Sequence, residues 1–477
     1  MSSFVSRGAV LASARLLNQA LALLSPLLLV RLLEISEYGR YRQFMATAMF
    51  ITSLAGFALS ANLNYLIARS PDRQAVDISN TCLLMLGVSV ASALIIVVFQ
   101  QWIVPPEISQ AWVLLALYVF LFLNLEVLVS YWLAHGQSVA VMGYTLAVTV
   151  WRIATLLAAT YWLHDVQLIF VTIVCAEAFK NLWIYVGLRR RGLLVFRWDA
   201  AAMREQIRLV APLGAGSVLY KANDFGKVVV ANQMGPVPLA IYTTAAYQVP
   251  LVNIVQGALA DAIFPDMVKR SKRDPAQGLL LWKRAQVLIF AVICPAWLLL
   301  TYWAEPFVRL LFTEQYVAAT PYFQFFLLLM VRQCFQFSTP LRSVEDNASF
   351  AHANLIALVI NATLIVTLMP KFGLWGPTLG LVVGQTWTSF YLGSRVLKRY
   401  KLPVSELCQW GKLGLALMAS VVALAAMYAT LFYLPDTAAS IVASLGVFAL
   451  VYAIAARVIL REEYGYVMRA ILRRKTA

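Results

Sequence analysis

Charge is scarce in this chain. Of its 477 residues, 13% are Asp, Glu, Lys or Arg and 61% are hydrophobic, with a mean hydropathy of +0.76. A soluble domain carries about 45–50% apolar and about 25% charged residues. So little charge cannot clothe a solvated surface, which excludes an ordinary soluble domain and points to an integral membrane protein. Acids are the scarcer kind: 22 Asp and Glu stand against 38 Lys and Arg, a net charge of +16. The bases gather in short segments between apolar runs, where they orient a membrane protein, so no nucleic-acid partner is read from them. Histidine falls to three residues, His135, His164 and His352, far apart and at the ends of apolar runs. With no nucleophile motif, Walker glycines or metal spacing, neither an enzyme nor a metal or cofactor site is expected. The five cysteines, Cys82, Cys175, Cys294, Cys334 and Cys408, are dispersed without pairing or ligand spacing, so no disulfide framework is expected.

Long apolar runs are what the chain does have. Runs of the roughly 20 residues needed to cross the hydrocarbon emerge about 14 times. Their limits are near 8–31, 42–67, 78–101, 110–134, 138–162, 166–188, 207–233, 239–264, 284–304, 320–341, 349–369, 374–396, 411–433 and 438–460. With the N-terminus inside, 27 of the 38 Lys and Arg fall in the N-terminus, the even-numbered loops and the C-terminal tail. Only Arg31, Arg40, Arg42, Arg309 and Lys371 fall in odd-numbered loops, so both termini are expected in the cytoplasm. The basic stretch Arg189–Arg208 is the longest polar interruption and reads as a boundary. Past the first span comes RLLEISEYGRYRQF and past the seventh NQMGPVPLAIYTTA; an offset of 201 sets Gly39 on Ala240 and Tyr41 on Tyr242. The expected fold is an all-α polytopic membrane protein with two pseudo-symmetric six-helix bundles, residues 1–200 and 201–400. A helix pair and basic tail, 401–477, follow.

Ten ionisable side chains fall inside or at the edge of these spans: Arg15, Glu126, Arg152, Glu177, Lys180, Lys221, Asp224, Lys227, Asp261 and Arg332. Facing lipid, they would cost about 25–35 kcal/mol together, so they are expected to face protein or water. In SVLYKANDFGKVVV, Lys221, Asp224 and Lys227 lie along one helix face with Asn223 beside them, and the first span carries Arg15, Asn18 and Gln19. The two head helices are expected to offer these stripes to one cavity. Six bases against four acids leave it positive, so the expected ligand is an anion, and a diphosphate suits Arg15, Lys221, Arg332 and Arg152. Structural pairs are the competing reading: Lys221 with Asp224, Glu177 with Lys180, and Arg152 with Glu126. Asp224, Glu126 and Glu177 also offer sites for counter-transport of H⁺ or Na⁺. Among the amides inside spans, Asn223, Gln256, Gln333, Gln336, Asn361 and Gln385 suit a sugar or hold helices together.

Three motifs carry a resemblance: EYGRY at Glu37–Tyr41, APLGAGSVLYKANDFGKVVVANQMG at the start of the second half, and FGLWGPTLG at Phe372–Gly380. With the span count, the chain resembles the Wzx-type polysaccharide flippases of the MATE-like (MOP) transporter superfamily. The resemblance implies a flippase moving an undecaprenyl-diphosphate-linked oligosaccharide from the inner to the outer leaflet of the bacterial inner membrane by alternating access. It also implies service to O-antigen, capsule or exopolysaccharide synthesis, with a polysaccharide polymerase and a chain-length regulator as partners besides the lipid bilayer. Where such flippases commonly place a base directly after the Asp of the seventh helix, this chain has Asp224, Phe225, Gly226 and Lys227. A lipid II flippase and a cation-coupled multidrug exporter are the alternatives within the same superfamily.

Overall fold

The computed structural model is all-helical, with no strand among the described residues. Those residues are 21, 25–56, 63, 66–67, 71–123, 127–163, 165–193, 199–249, 255–256, 263, 267–271, 273–344, 346, 348–435 and 437–459. Arg15, Asn18, Gln19, Glu126 and Asp261 lie outside them.

Among the described residues, eight helices are long and apolar enough to cross a membrane. They match the expected spans three to six, nine, eleven, thirteen and fourteen. The second span is present as α1 (Ile35–Ala55), and the third to sixth contain α2 (Gln74–Val98), α3 (Trp112–Phe122), α4 (Val127–Ala134), α5 (Ser138–Leu163) and α6 (Val166–Arg190). The seventh is broken into α7 (Ala200–Ala222) and α8 (Gly226–Gln233), with a 3₁₀ turn at Asn223–Phe225 between them; α9 (Pro236–Ala245) follows. Then come α10 (Pro275–Tyr302) and α11 (Ala304–Phe312). The tenth span is three short pieces, α12 (Thr320–Phe326), α13 (Leu328–Gln333) and α14 (Ser338–Ser343). The chain continues through α15 (Ala348–Phe372), α16 (Trp375–Tyr400), α17 (Trp410–Tyr433) and α18 (Ala438–Ile459). The expected first span falls largely outside the described residues, as does nearly half of the eighth.

The few acids are spent at helix starts, where amide donors have no intrahelical acceptor. Asp165 accepts from the Gln167 amide (2.7 Å), Asp199 from Ala201 and Ala202 (both 3.0 Å), and Asp274 from Ala276 (2.9 Å). Asp346 does the same for α15, taking the Ser349 amide at 3.2 Å and its hydroxyl at 2.8 Å. At α1 the spacing EISE lets Glu37 reach back to the Glu34 amide at 3.2 Å.

Packing divides the chain into two compact units. One holds residues 1–244, 311–318 and 361–381; the other holds 245–310, 319–360 and 382–477. The expected halves, 1–200 and 201–400, are defined by repeat symmetry and not by packing, so this division is of a different kind.

In the first unit, Phe44 of α1 stacks on Phe170 of α6 at 4.4 Å and meets Tyr118 of α3 edge-on at 5.6 Å. A second apolar cluster joins Ile78 and Met85 of α2, Val127, Leu128 and Trp132 of α4, Tyr144 of α5, and Ile184 and Leu188 of α6. At the odd-loop end, the end expected outside, several segments of this unit are drawn together. Tyr38 meets Tyr316 edge-on at 6.0 Å. Fully buried Gln43 donates to Glu107 (2.9 Å) and to the Ala231 carbonyl (2.8 Å). Arg42 donates to the Thr243 hydroxyl at 3.2 Å, across 201 positions, which is the offset that aligned the two halves.

The second unit packs α17 against α18 and α10. Ala423 and Met427 are buried with Phe448, flanked by Leu299 and Trp303.

Among the described glycines of the first unit, Gly39 has the closest neighbour. A β-carbon there would stand 2.2 Å from the Pro236 carbonyl oxygen, a backbone atom that cannot swing aside. Gly87, on α2, has open space at the same position. Gly39→Ala is therefore expected to cost about 1–3 kcal/mol through overpacking, and Gly87→Ala little. Thermal unfolding of the two purified variants, followed by monodispersity, checks the difference.

Candidate transport site

In the first unit, α6 presents Glu177, Lys180 and Asn181 at the i, i+3, i+4 spacing that places them on one face. Glu177 and Lys180 are 3% and 4% exposed and form an ion pair, the pairing expected from their spacing. Arg152, from α5, donates its Nη2 to Glu177 Oε1 at 2.7 Å. The expected partner of Arg152, Glu126, lies outside the described residues, and Glu177 takes that role here. The Arg152 guanidinium and the Lys180 ammonium also lie 5.5 and 5.6 Å from the Phe122 ring centre, close enough for cation–π attraction. Asn181 closes the group by donating to the carbonyls of Leu121 (2.8 Å) and Glu177 (2.9 Å). Among the described residues two bases meet one acid here, and the Arg152 side chain is 42% exposed.

The charged stretch of the seventh span is reorganised by the 3₁₀ turn. Lys221 is exposed and pairs with no acid among the described residues. Asp224 pairs instead with Lys227, at 3.4 Å, which corrects the expected Lys221–Asp224 pair. The reason is local: the tighter turn over Asn223–Phe225 rotates Asp224 away from the preceding helix and onto the start of α8. Asn223 faces inward at 2% exposure, donates to the Leu219 carbonyl at 3.0 Å, and offers its own carbonyl to Asn361 of α15 at 2.8 Å. These two amides act as helix glue. Close approach is allowed by Gly380, where a β-carbon would sit 2.5 Å from Asn361 Oδ1.

In the second unit, Arg332 at the end of α13 is half-buried. Its Nε donates to the Gln385 carbonyl and the Ser389 hydroxyl of α16, each at 3.0 Å. Bonds to neutral oxygens hold the guanidinium in one orientation. Beside it, Gln256 donates to the carbonyl of Gln333 and accepts from Gln336 at 3.2 Å. Arg332 thus stands next to a run of amides that can match sugar hydroxyls.

The structure accordingly brings Arg152 together with Glu177 and Lys180, Asp224 with Lys227, and Arg332 with Gln333 and Gln385. Lys221 and Arg332 belong to different units. Gln43 and Ser389 were not singled out from sequence. Gln43, a lone amide near the head of an apolar run, carried a readable signal; a serine in a helix does not.

Removing Glu177 takes its carboxylate away from both Lys180 and Arg152. Glu177→Gln is expected to destabilise the protein by about 3–5 kcal/mol, and the double change with Lys180→Met to restore much of that. Thermal unfolding of both in detergent decides it, since a Glu177 without structural duty predicts no difference.

Comparison with curated proteins finds no matching sequence. Among solved structures, lipid II flippase MurJ in an inward closed conformation is similar with a TM-score of 0.72 at 12% identity, over 95% of this chain and 99% of that one. An inward-facing multidrug resistance MATE family transporter of the MOP superfamily is similar with a TM-score of 0.62 at 14% identity, over 82% of this chain and 99% of that one. At such identities these likenesses establish the fold: a MurJ- and MATE-like membrane helix bundle. The sequence itself matches the family described as "Polysaccharide biosynthesis protein" over residues 28–321, and the chain belongs to that family.

Proposed function

We propose that this protein is a flippase carrying an undecaprenyl-diphosphate-linked oligosaccharide from the inner to the outer leaflet of the bacterial inner membrane, for surface polysaccharide synthesis. The observation that carries this reading is the polysaccharide biosynthesis family match on a chain folded like a lipid flippase. The excess of basic groups at membrane depth agrees with an anionic headgroup. Arg332, oriented by Gln385 and Ser389 and flanked by Gln333, is suited to a phosphate with a sugar beyond it. Arg152, half out of its cluster with Glu177, and exposed Lys221 are further anion donors, joined in this reading by Arg15 with Asn18 and Gln19.

Both termini are assigned to the cytoplasm on the distribution of bases. The halves rock to expose the headgroup to one side and then the other, while the lipid tail stays in the bilayer. With the inside negative, each elementary charge moving outward with the headgroup gains about 2.3 kcal/mol per 100 mV, so the field favours export of an anion. Asp224 is the accessible carboxylate for coupling to H⁺ or Na⁺, its side chain 57% exposed, whereas Glu177 is committed to two cations.

A second reading, a lipid II flippase, draws on the likeness to MurJ over 95% of the chain. The two separate cleanly in the cell: loss of the first strips surface glycan, loss of the second is lethal. An exporter of cationic drugs would instead show as drug sensitivity on deletion.

Removing Arg332 takes away charged hydrogen bonds worth roughly one to two orders of magnitude. Arg332→Ala is expected to reduce flipping at least about tenfold, and Arg332→Lys to fall between. Surface polysaccharide in a complemented deletion strain, with expression checked by immunoblot, provides the measurement. Wild-type glycan from Arg332→Ala would remove this residue from the path.

A further inference from the structure

The last turns of α16 carry Arg395, Lys398 and Arg399 at the i, i+3, i+4 spacing that puts like charges on one helix face. Bases at a helix C-terminus complement its dipole, and bases in this loop orient the chain, so their presence alone indicates no site. Their setting does. Together with Val344 and Asp346 they line an open surface hollow of about 440 Å³ in the second unit, a size in the range of ligand sites.

One of the three bases is built into place. Arg395 Nε donates to the Ser349 hydroxyl at 2.9 Å, and its Nη2 lies 3.7 Å from Asp346 Oδ2. Asp346 in turn holds the Ser349 amide and hydroxyl at the start of α15. The guanidinium is thereby tied to the loop wall of the hollow, with its remaining N–H groups left for another acceptor. Asp346 is occupied by that work. Lys398 and Arg399 pair with no acid among the described residues. Among the described lining residues, three bases against one acid leave an excess of +2, which the double negative charge of a phosphate monoester or a diphosphate group would offset. The Arg forks and the Lys point charge suit tetrahedral phosphate oxygens.

We propose that this hollow is a phosphate-binding site, distinct from the membrane-depth groups discussed above and at the end of α16 that the distribution of bases assigns to the cytoplasm. Two sources offer the same chemistry there: the phosphate of an anionic lipid headgroup in the facing leaflet, and a free phosphate or pyrophosphate from solution. The proposal does not depend on which cargo the protein carries.

The full-length protein in phosphatidylcholine nanodiscs, with and without phosphatidic acid, allows both sources to be tested. Native mass spectrometry counts retained phosphatidic acid, and titration calorimetry in the lipid-neutral discs measures pyrophosphate. The double variant Lys398→Ala/Arg399→Ala, which leaves the Arg395–Ser349–Asp346 connection intact, is expected to weaken binding about thirtyfold, from roughly a fivefold share for each base. Loss of phosphatidic acid alone identifies a headgroup site, and loss of pyrophosphate alone a site for the soluble anion. A control, Lys269→Ala/Arg457→Ala, removes the same charge from exposed positions elsewhere on the side expected to be cytoplasmic. Unchanged binding of both ligands by the first variant would overturn the proposal, as would equal weakening by the control.

Discussion

Everything in this structure answers to one constraint: inside an apolar bundle, a polar group that cannot reach water must find its partner within the protein. Helices satisfy the backbone, and the leftover donors at their starts draw on the small stock of acids, as at Asp165, Asp199, Asp274 and Asp346. Side-chain charge is handled the same way. Buried Glu177 is met by both Lys180 and Arg152, and both cations also lie against the face of Phe122.

The same constraint shapes the irregular places. The seventh span is broken at Asn223–Phe225, and the backbone carbonyl there is taken up by Asn361 from a distant helix. The tenth span is broken into three short helices, and its Arg332 and Gln333 are met by partners on α16 and by Gln256. Broken helices at membrane depth are tolerated where protein or water satisfies the freed groups, which is also where transporters build their sites. That both breaks coincide with candidate binding residues ties the helix geometry to the proposed function. At the odd-loop end of the first unit the opposite holds: Gly39 against Pro236, Tyr38 against Tyr316 and Gln43 against Glu107 make a close-packed seam.

Much of this was legible beforehand. Hydropathy alone gave the helical membrane class, because hydrocarbon thickness sets a length that few other structures require. The Glu177–Lys180 pair followed from spacing, since three residues is nearly one helical turn. The pairing of Asp224 did not, because it depends on a local change from α to 3₁₀ geometry that leaves no mark in composition. Arg152 was correctly suspected of a carboxylate partner, but which neighbouring helix supplies it is a matter of packing.

What the amino-acid sequence determined by itself is therefore what depends on distance along the chain: the apolar lengths, the segments in which bases collect, and the pairs one turn apart. Only the tertiary structure decided what depends on distance through space. It chose Glu177 for Arg152, Gln385 and Ser389 for Arg332, Ser349 for Arg395, and Thr243 for Arg42. The physical reason is that apolar burial drives a helix to pack without naming its neighbour, and hydrogen bonds select the neighbour only once packing has brought the atoms within about 3 Å of each other.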